Sequence, residues 1–219
     1  MSARREEILD AGLAIADEKG LNAVSMRAVA ERVGVTPMAL YPHVGSKAAL
    51  LDGMVGRLLG ELAPAVGGEG LPWDERMRHF AHAARGLGRR HPWAAALLFA
   101  RPSVTPDGVR TVDGVYTALL DAGVPERHVP RLERLLSTFV IGYAASEAGG
   151  RFGPGDLDPR ARRGQLPEGT LPAHARLARH LDEPVDWDAE FEADLEDLRG
   201  LVRALAEDGR PKGHGEADG

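Results

Sequence analysis

SMRAVAERVGVTPMALYPHVGSK, residues 25–47, reads as a helix, a tight turn, a second short helix and an anchoring lysine. Ser25 is placed to cap the first helix, and Met26, Val29, Ala30 and Val33 recur at helical spacing to give it one buried face. Gly34 stands where that helix must stop, because a residue without Cβ enters the left-handed region at little cost. Thr36 is expected to cap the next helix, with Pro37 in its first turn, where a missing N–H is no loss. In this register Leu40 points inward and Thr36, Pro37, Met38, Tyr41 and His43 are left on the outer surface. Two helices joined in this way can set the end of the second into the major groove of DNA.

Working outward, residues 3–19 form an amphipathic helix with Ile8, Leu9, Leu13 and Ala16 inward and Glu6 and Glu7 in the first turn, where the dipole favours negative charge. Ser46 can cap a longer helix with Leu50, Leu51, Met54, Val55, Leu58 and Leu62 in one stripe, ended by Pro64 and the GGEG run at 67–70. This helix is expected to join an N-terminal head to a larger body and to set the tilt of the head. Trp73, Met77, Phe80, Ala84 and Leu87 make a narrow seam, closed by Gly88 and Pro92, and a short apolar segment, PWAAALLFA, follows. Residues 107–122 read as a helix stopped at Gly123 and Pro125. Pro130 begins the most apolar helix, with Leu132, Leu135, Leu136, Phe139, Val140 and Tyr143 on one side. The last long helix, about 187–207, has a seam of Trp187, Phe191, Leu195, Leu198, Val202 and Leu205 and an acidic start that suits its dipole. No segment alternates with period two for long, so the fold class is all-α. Residues 149–172, with six glycines, four prolines and four arginines, read as a mobile loop or a lid. GHGEADG at the C-terminus reads as a frayed tail.

Composition narrows the function classes. A chain of 219 residues, 43% hydrophobic, suits a small head plus one regulatory domain. With no cysteine there is neither disulfide nor thiolate metal site, which suits a reducing cytosol and a cytoplasmic protein. No apolar run follows a basic N-terminal stretch, and no span of about 18 apolar residues exists, so neither a signal peptide nor a membrane helix is expected. Net charge is −6, yet residues 1–50 carry six Lys/Arg and six Asp/Glu, so the whole excess of acid lies in the body. An acidic body held away from phosphates can coexist with a locally basic contact face. Few ion pairs per subunit are then available, and affinity for DNA should fall with salt less steeply than for a polybasic binder.

Gly20, AVSMRAVAERVGV at 23–35 and above all LYPHVGSKAALL at 40–51 resemble the head of the tetracycline-repressor (TetR) family. The Leu-Tyr-x-His-x-x-x-Lys run is far more restrictive than helical periodicity, which any three-helix bundle shows. RRHPWAAALLFARP at 89–102 and FEADLEDLRGLVRAL at 191–205 resemble the tetracycline-repressor body. The resemblance implies a helix-turn-helix DNA-binding domain at 1–47, an all-helical ligand-binding and dimerisation domain at 48–207 and a flexible tail at 208–219. It also implies a transcriptional regulator, read here as a repressor. Such a protein binds a palindromic operator in double-stranded DNA as a homodimer and is released by a small-molecule effector, with no cofactor.

Carried over by position, Tyr41 and Lys47 would hold phosphates and Arg27 would contact backbone or a base edge. Thr36, Pro37, Met38 and His43 would face bases, and Ser25 completes the expected contact set. The second helix has no Arg, Asn or Gln, so direct readout is thin and part of the specificity falls to DNA shape and to Arg27. Pro42 departs from the family's usual aromatic, basic or polar residue, and predicts a helix short or kinked at its C-terminal end. His91, Trp93, Phe99, Phe139 and Tyr143 are candidate ligand-pocket residues. The family's dimer interface, a four-helix arrangement of two long helices per subunit, implies contacts through Ile141, Gly142, Ala145 and Ser146 and through Leu195, Leu198 and Val202.

Two other classes compete with this reading. Of enzymes built on a helical bundle, a di-iron protein needs two Glu-x-x-His pairs, and the chain has none; His-Glu-x-x-His and Gly-x-Ser-x-Gly are also absent. His79 and His82 lie one turn apart, a spacing commoner in surface or packing pairs than in metal sites, so no metal is expected. GGRFGPGD at 149–156 follows a helix and leads to no clear strand-to-helix turn, so no phosphate loop is expected there. A helical module that binds a protein partner and never touches DNA remains the other alternative.

Overall fold

Local capping signals set the head. In the computed structural model, which describes residues 3–68, 70–101, 104–152 and 171–208, three helices form it: α1 (Ala3–Lys19), α2 (Met26–Val33) and α3 (Pro37–Val44). The Ala28 N–H donates to Ser25 Oγ at 3.1 Å, and Gly34 takes the left-handed conformation at φ 75°, ψ 34°. Ile8, Leu9, Val29, Ala30 and Leu40 are fully buried between the three helices. Thr36 differs from expectation. It holds the capping position with extended backbone, but its side chain makes no capping bond, so its hydroxyl is left to the surface. Helix α3 runs through Pro42 to Val44 and closes with the Gly45 N–H donating to Tyr41 O at 2.8 Å. It is eight residues long, and the proline ring offers Met38 O no N–H.

Helix α4 (Lys47–Gly60), capped by Ser46 Oγ accepting from the Ala49 N–H, lies between head and body. Leu50, Met54, Val55 and Leu58 are buried along it. The expected stripe does not run unbroken to Leu62: α4 ends at Gly60, and a turn carries Leu62 into the short α5 (Ala63–Val66), where Pro64 suits the first turn. Two close approaches fix α4. Gly53 leaves room for Leu9 of α1, and a Cβ at Gly56 would overlap the side chain of Thr105, the residue that caps the next body helix but two.

The body comprises α6 (Trp73–Arg90), α7 (Ala94–Ala100), α8 (Pro106–Asp121), α9 (Val129–Ala148), α10 (Pro172–Asp182) and α11 (Trp187–Asp208). Helices α6 and α9 touch most closely where Gly88 faces Ala144: a Cβ on residue 88 would lie 2.6 Å from that of Ala144. On α9, Leu132, Leu136, Val140 and Tyr143 are buried as expected, whereas Leu135 is exposed because it falls on the opposite flank. Helix α11 packs its Phe191 and Leu195 inward, and Arg199 ties it to Asp74 at the start of α6. Helix α10 has no buried residue and begins where the Gly/Pro-rich stretch ends. The lid expected within 149–172 falls mostly on 153–170, and the tail on 209–219; both lie outside the described residues. Among the described residues there is no strand and no helix long and apolar enough to cross a membrane.

Candidate nucleic-acid interface and effector cavity

Arg27, Thr36, Pro37, Met38, Tyr41, His43 and Lys47 are all exposed, and Ser25 is half-buried by its capping bond. Met38, at 75% exposure, and Tyr41, at 44%, are large side chains that a packed fold would cover if it could. The charges around them are sorted. Arg32 is paired with Glu18, Arg4 with Glu7, and Arg57 with Glu6 and Asp10, whereas no described residue pairs with Arg27 or Lys47. The hydrogen bond from Arg32 holds the Glu18 carboxyl below its usual range. None of α2, α3 and α4 has an acidic residue in its first turn, so their positive ends stand uncompensated. A neutral head thereby exposes two cations with no partner among the described residues, an aromatic hydroxyl and apolar surface.

Three ties connect α1, α4 and the α6–α7 region. Asp17 of α1 accepts from Trp93 Nε1 at 2.7 Å and sits 2.7 Å from His91 Nδ1, at the α6–α7 junction. Arg101, just past α7, reaches Asp52 at 2.5 Å and Ala48 O at 3.2 Å on α4. Arg57 of α4 bonds Glu6 and Asp10 of α1 at 2.8 and 2.7 Å. Sequence reading missed these links, since they join positions far apart in the chain.

A partly enclosed cavity of about 50 Å³ lies between the end of α4 and helices α6, α7, α8 and α9. Its walls are apolar (Phe80, Leu87, Leu98, Val115 and Val140 among them), with Thr111, Glu133 and Ser137 the polar side chains. Ser137 Oγ donates to Glu133 Oε1 at 2.7 Å, and Thr111 Oγ1 lies 2.8 Å from Leu59 O at the end of α4. Leu59 and Leu62 also line the cavity, so its wall includes the end of the helix that carries the head. A volume of that size admits little more than water, while drug-sized ligands need roughly 300 Å³ or more.

None of the five candidate pocket residues lines this cavity. His91 and Trp93 are engaged by Asp17, and Phe99 is exposed on α7. Phe139 and Tyr143 belong to an aromatic cluster with Phe152, Trp187 and Phe191, and two of its rings, Tyr143 and Phe191, lie against Arg85. The buried Arg85 guanidinium stands 4.7 Å from the Phe191 ring centre and 5.1 Å from that of Tyr143, and it bonds Glu147 at 2.7 and 3.0 Å. Burial pushes the Glu147 carboxyl up, but hydrogen bonds from Arg85 and Arg89 outweigh it and hold the group below its usual range. These aromatics close the seam between α6, α9 and α11; their burial reflects packing around a cation. The polar pair Glu133 and Ser137, one turn apart on the otherwise apolar flank of α9, was the available signal for the cavity.

Of the expected dimer residues, Leu195 and Val202 are buried in the protomer's own core and cannot face a partner, and Ile141 lines the cavity. Gly142 faces open space, Ala145 and Ser146 are half-buried, and Leu198 is half-buried on α11. Leu135 lies two turns before Gly142, and exposed Leu201 lies one turn after Leu198, so both helices keep apolar or small residues outside. His79 is exposed, and His82 sits 2.7 Å from Glu192; among the described residues no group of three metal-ligating side chains occurs.

Two family profiles match the chain. Residues 8–54 match the profile of bacterial regulatory proteins of the tetR family, and residues 66–201 match the tetracyclin repressor-like C-terminal domain. An HTH-type transcriptional regulator of Saccharopolyspora erythraea is 30% identical over 212 residues, covering 92% of this chain and 85% of its own. The HTH-type transcriptional repressor DrrR1 of Streptomyces coeruleorubidus is 31% identical over 143 residues, covering 65% of this chain and 53% of its own. Among solved structures, apo ActR of Streptomyces coelicolor superposes with a TM-score of 0.80 at 26% identity, covering 94% of this chain and 97% of its own. ActR in complex with actinorhodin gives 0.79 at 26% identity, covering 94% and 99%. With both its head and its body matched, the chain belongs to the tetR family of transcriptional regulators.

Proposed function

We propose that this regulator acts as a cytoplasmic repressor: a homodimer, joined through α9 and α11, that grips a palindromic operator with its two heads and lets go when a small molecule enters the body. The head ends at Lys47, and α4 begins the sensing and dimerisation domain. The observation that carries the reading is the exposure of Met38 and Tyr41 on α3 together with that of Arg27 and Lys47, which have no ionic partner among the described residues. Tyr41 and Lys47 hold phosphates and fix register; Thr36, with its hydroxyl free of capping duty, and Met38 meet base edges. The relatives named as repressors, and ActR with its bound actinorhodin, support repression and effector release.

Effector action follows from the cavity. At about 50 Å³ it is the closed form, and a ligand that fills it must part its walls, one of which is the end of α4. A ligand that binds the parted form better shifts the population toward it, and α4 then re-aims the heads. The test is a gel shift with the chain's own upstream region. Tyr41→Ala/Lys47→Ala, shown by circular dichroism and gel filtration to be folded and of unchanged size, should lose binding. Binding retained by that variant would place the contact face elsewhere.

A further inference from the structure

Resting on the effector-cavity reading, we infer that Glu133 and Ser137 form the recognition point for a cationic amine borne on an otherwise apolar effector. Among the described residues, Glu133 is the only ionisable side chain lining the cavity; no Lys, Arg or His stands beside it in the wall. Nearly every other carboxylate between the body helices already has a cation: Glu147 has Arg85 and Arg89, Asp74 has Arg199, and Asp121 has Arg76. Glu133 has only the Ser137 hydroxyl, on Oε1, and no described residue binds Oε2. It is half-buried at the cavity wall, one turn before Ser137 on α9, with Val140, Ile141 and Ala144 continuing the same flank.

A ligand that fills this space strips water from Glu133. Stripping water from a carboxylate is costly unless a donor replaces it, and a positively charged donor replaces it best. A ligand carboxylate would instead meet a like charge in an apolar enclosure with no cation to offset it. The rest of the ligand meets aliphatic and aromatic walls, so its body should be apolar. Ser137, already donating to Oε1, holds the carboxylate in place and leaves Oε2 for the ligand's ammonium.

Three fluorescent probes of one shape separate the charge states: 9-(aminomethyl)anthracene, 9-anthracenemethanol and 9-anthracenecarboxylate, titrated into the full-length chain at pH 7. The amine should bind about tenfold more tightly than the alcohol, with the carboxylate weakest. Glu133→Gln, of nearly the same shape, should erase the amine's advantage and leave the alcohol within about twofold. The order of amine and carboxylate on the unmodified chain needs no variant. Equal binding of those two, no binding of the amine at millimolar concentration, or an amine preference that survives Glu133→Gln would overturn the assignment. Operator binding, measured in parallel, keeps the two readings apart. Glu133-dependent amine binding by a chain that ignores DNA would sink the repressor reading alone, whereas operator binding with indifference to Glu133 would sink this one alone.

Discussion

At the scale of single residues, what separates a contact from a strut is whether the chain has already used the side chain. Arg32 and Arg57 are spent on carboxylates inside the head, whereas Lys47 and Arg27 have no partner among the described residues. Lys47→Ala should therefore weaken binding to all DNA sequences alike and reduce the slope of log K against log salt by about two in a dimer, one phosphate per subunit. A salt titration with specific and random duplexes measures both quantities. Pro42→Arg should raise operator affinity or shift half-site preference, read from binding to a panel of sites, because it adds a donor at the exposed end of α3 and restores the helical N–H. Gly34 at φ 75° faces open space, so Gly34→Ala should cost about 1 kcal/mol through backbone strain alone, measurable by urea denaturation. These positions were legible in the sequence because caps, left-handed glycines and helix faces are set by near neighbours. Thr36 marks the limit. Its position was readable, but whether its hydroxyl caps or points outward depends on geometry that residue type does not fix.

At the scale of elements, α4 is the part that both halves share. Gly56 admits Thr105, so Gly56→Ala should force α4 away from α8 at a cost of about 1–3 kcal/mol and change the effector response along with stability. Thermal melts and operator-release curves on the same variant would show whether the two move together. The Asp17 link to His91 and Trp93 ties α1 to the α6–α7 junction, whose Ala94, Ala95 and Leu98 line the cavity. Asp17→Asn should loosen the coupling and leave operator affinity close to normal while more effector is needed for release. The tie between α6, α9 and α11 has a pH signature. Because Glu147 is held below its usual range, its contribution is present above about pH 4.3 and lost as pH falls through the depressed value. The difference in melting temperature between the wild type and Glu147→Gln should therefore shrink on acidification below that range. A difference constant down to about pH 2 would show that the Arg85–Glu147 pair contributes nothing. Helix existence was legible from periodicity, but the end of α4 and the exposed α10 were not, since an apolar stripe can cross a turn and an unburied helix has no seam. The aromatic residues were visible as buried side chains; that two of them lie against Arg85 and that the cavity is left to Glu133 and Ser137 is a matter of long-range packing.

At the scale of the whole molecule, a net charge of −6 and a neutral head mean that DNA is held by placement, with few ion pairs per subunit. In the proposed homodimer, placement requires two heads at a fixed separation, and that separation is what an effector would change. Selection of bound duplexes from random DNA by the purified chain tests it most directly. The recovered sequence should be twofold-symmetric, with half-sites centred about 34–36 Å apart, or a multiple of that, and bound by two copies. Recovery of single, unpaired half-sites, or of no preferred sequence at all, would contradict it.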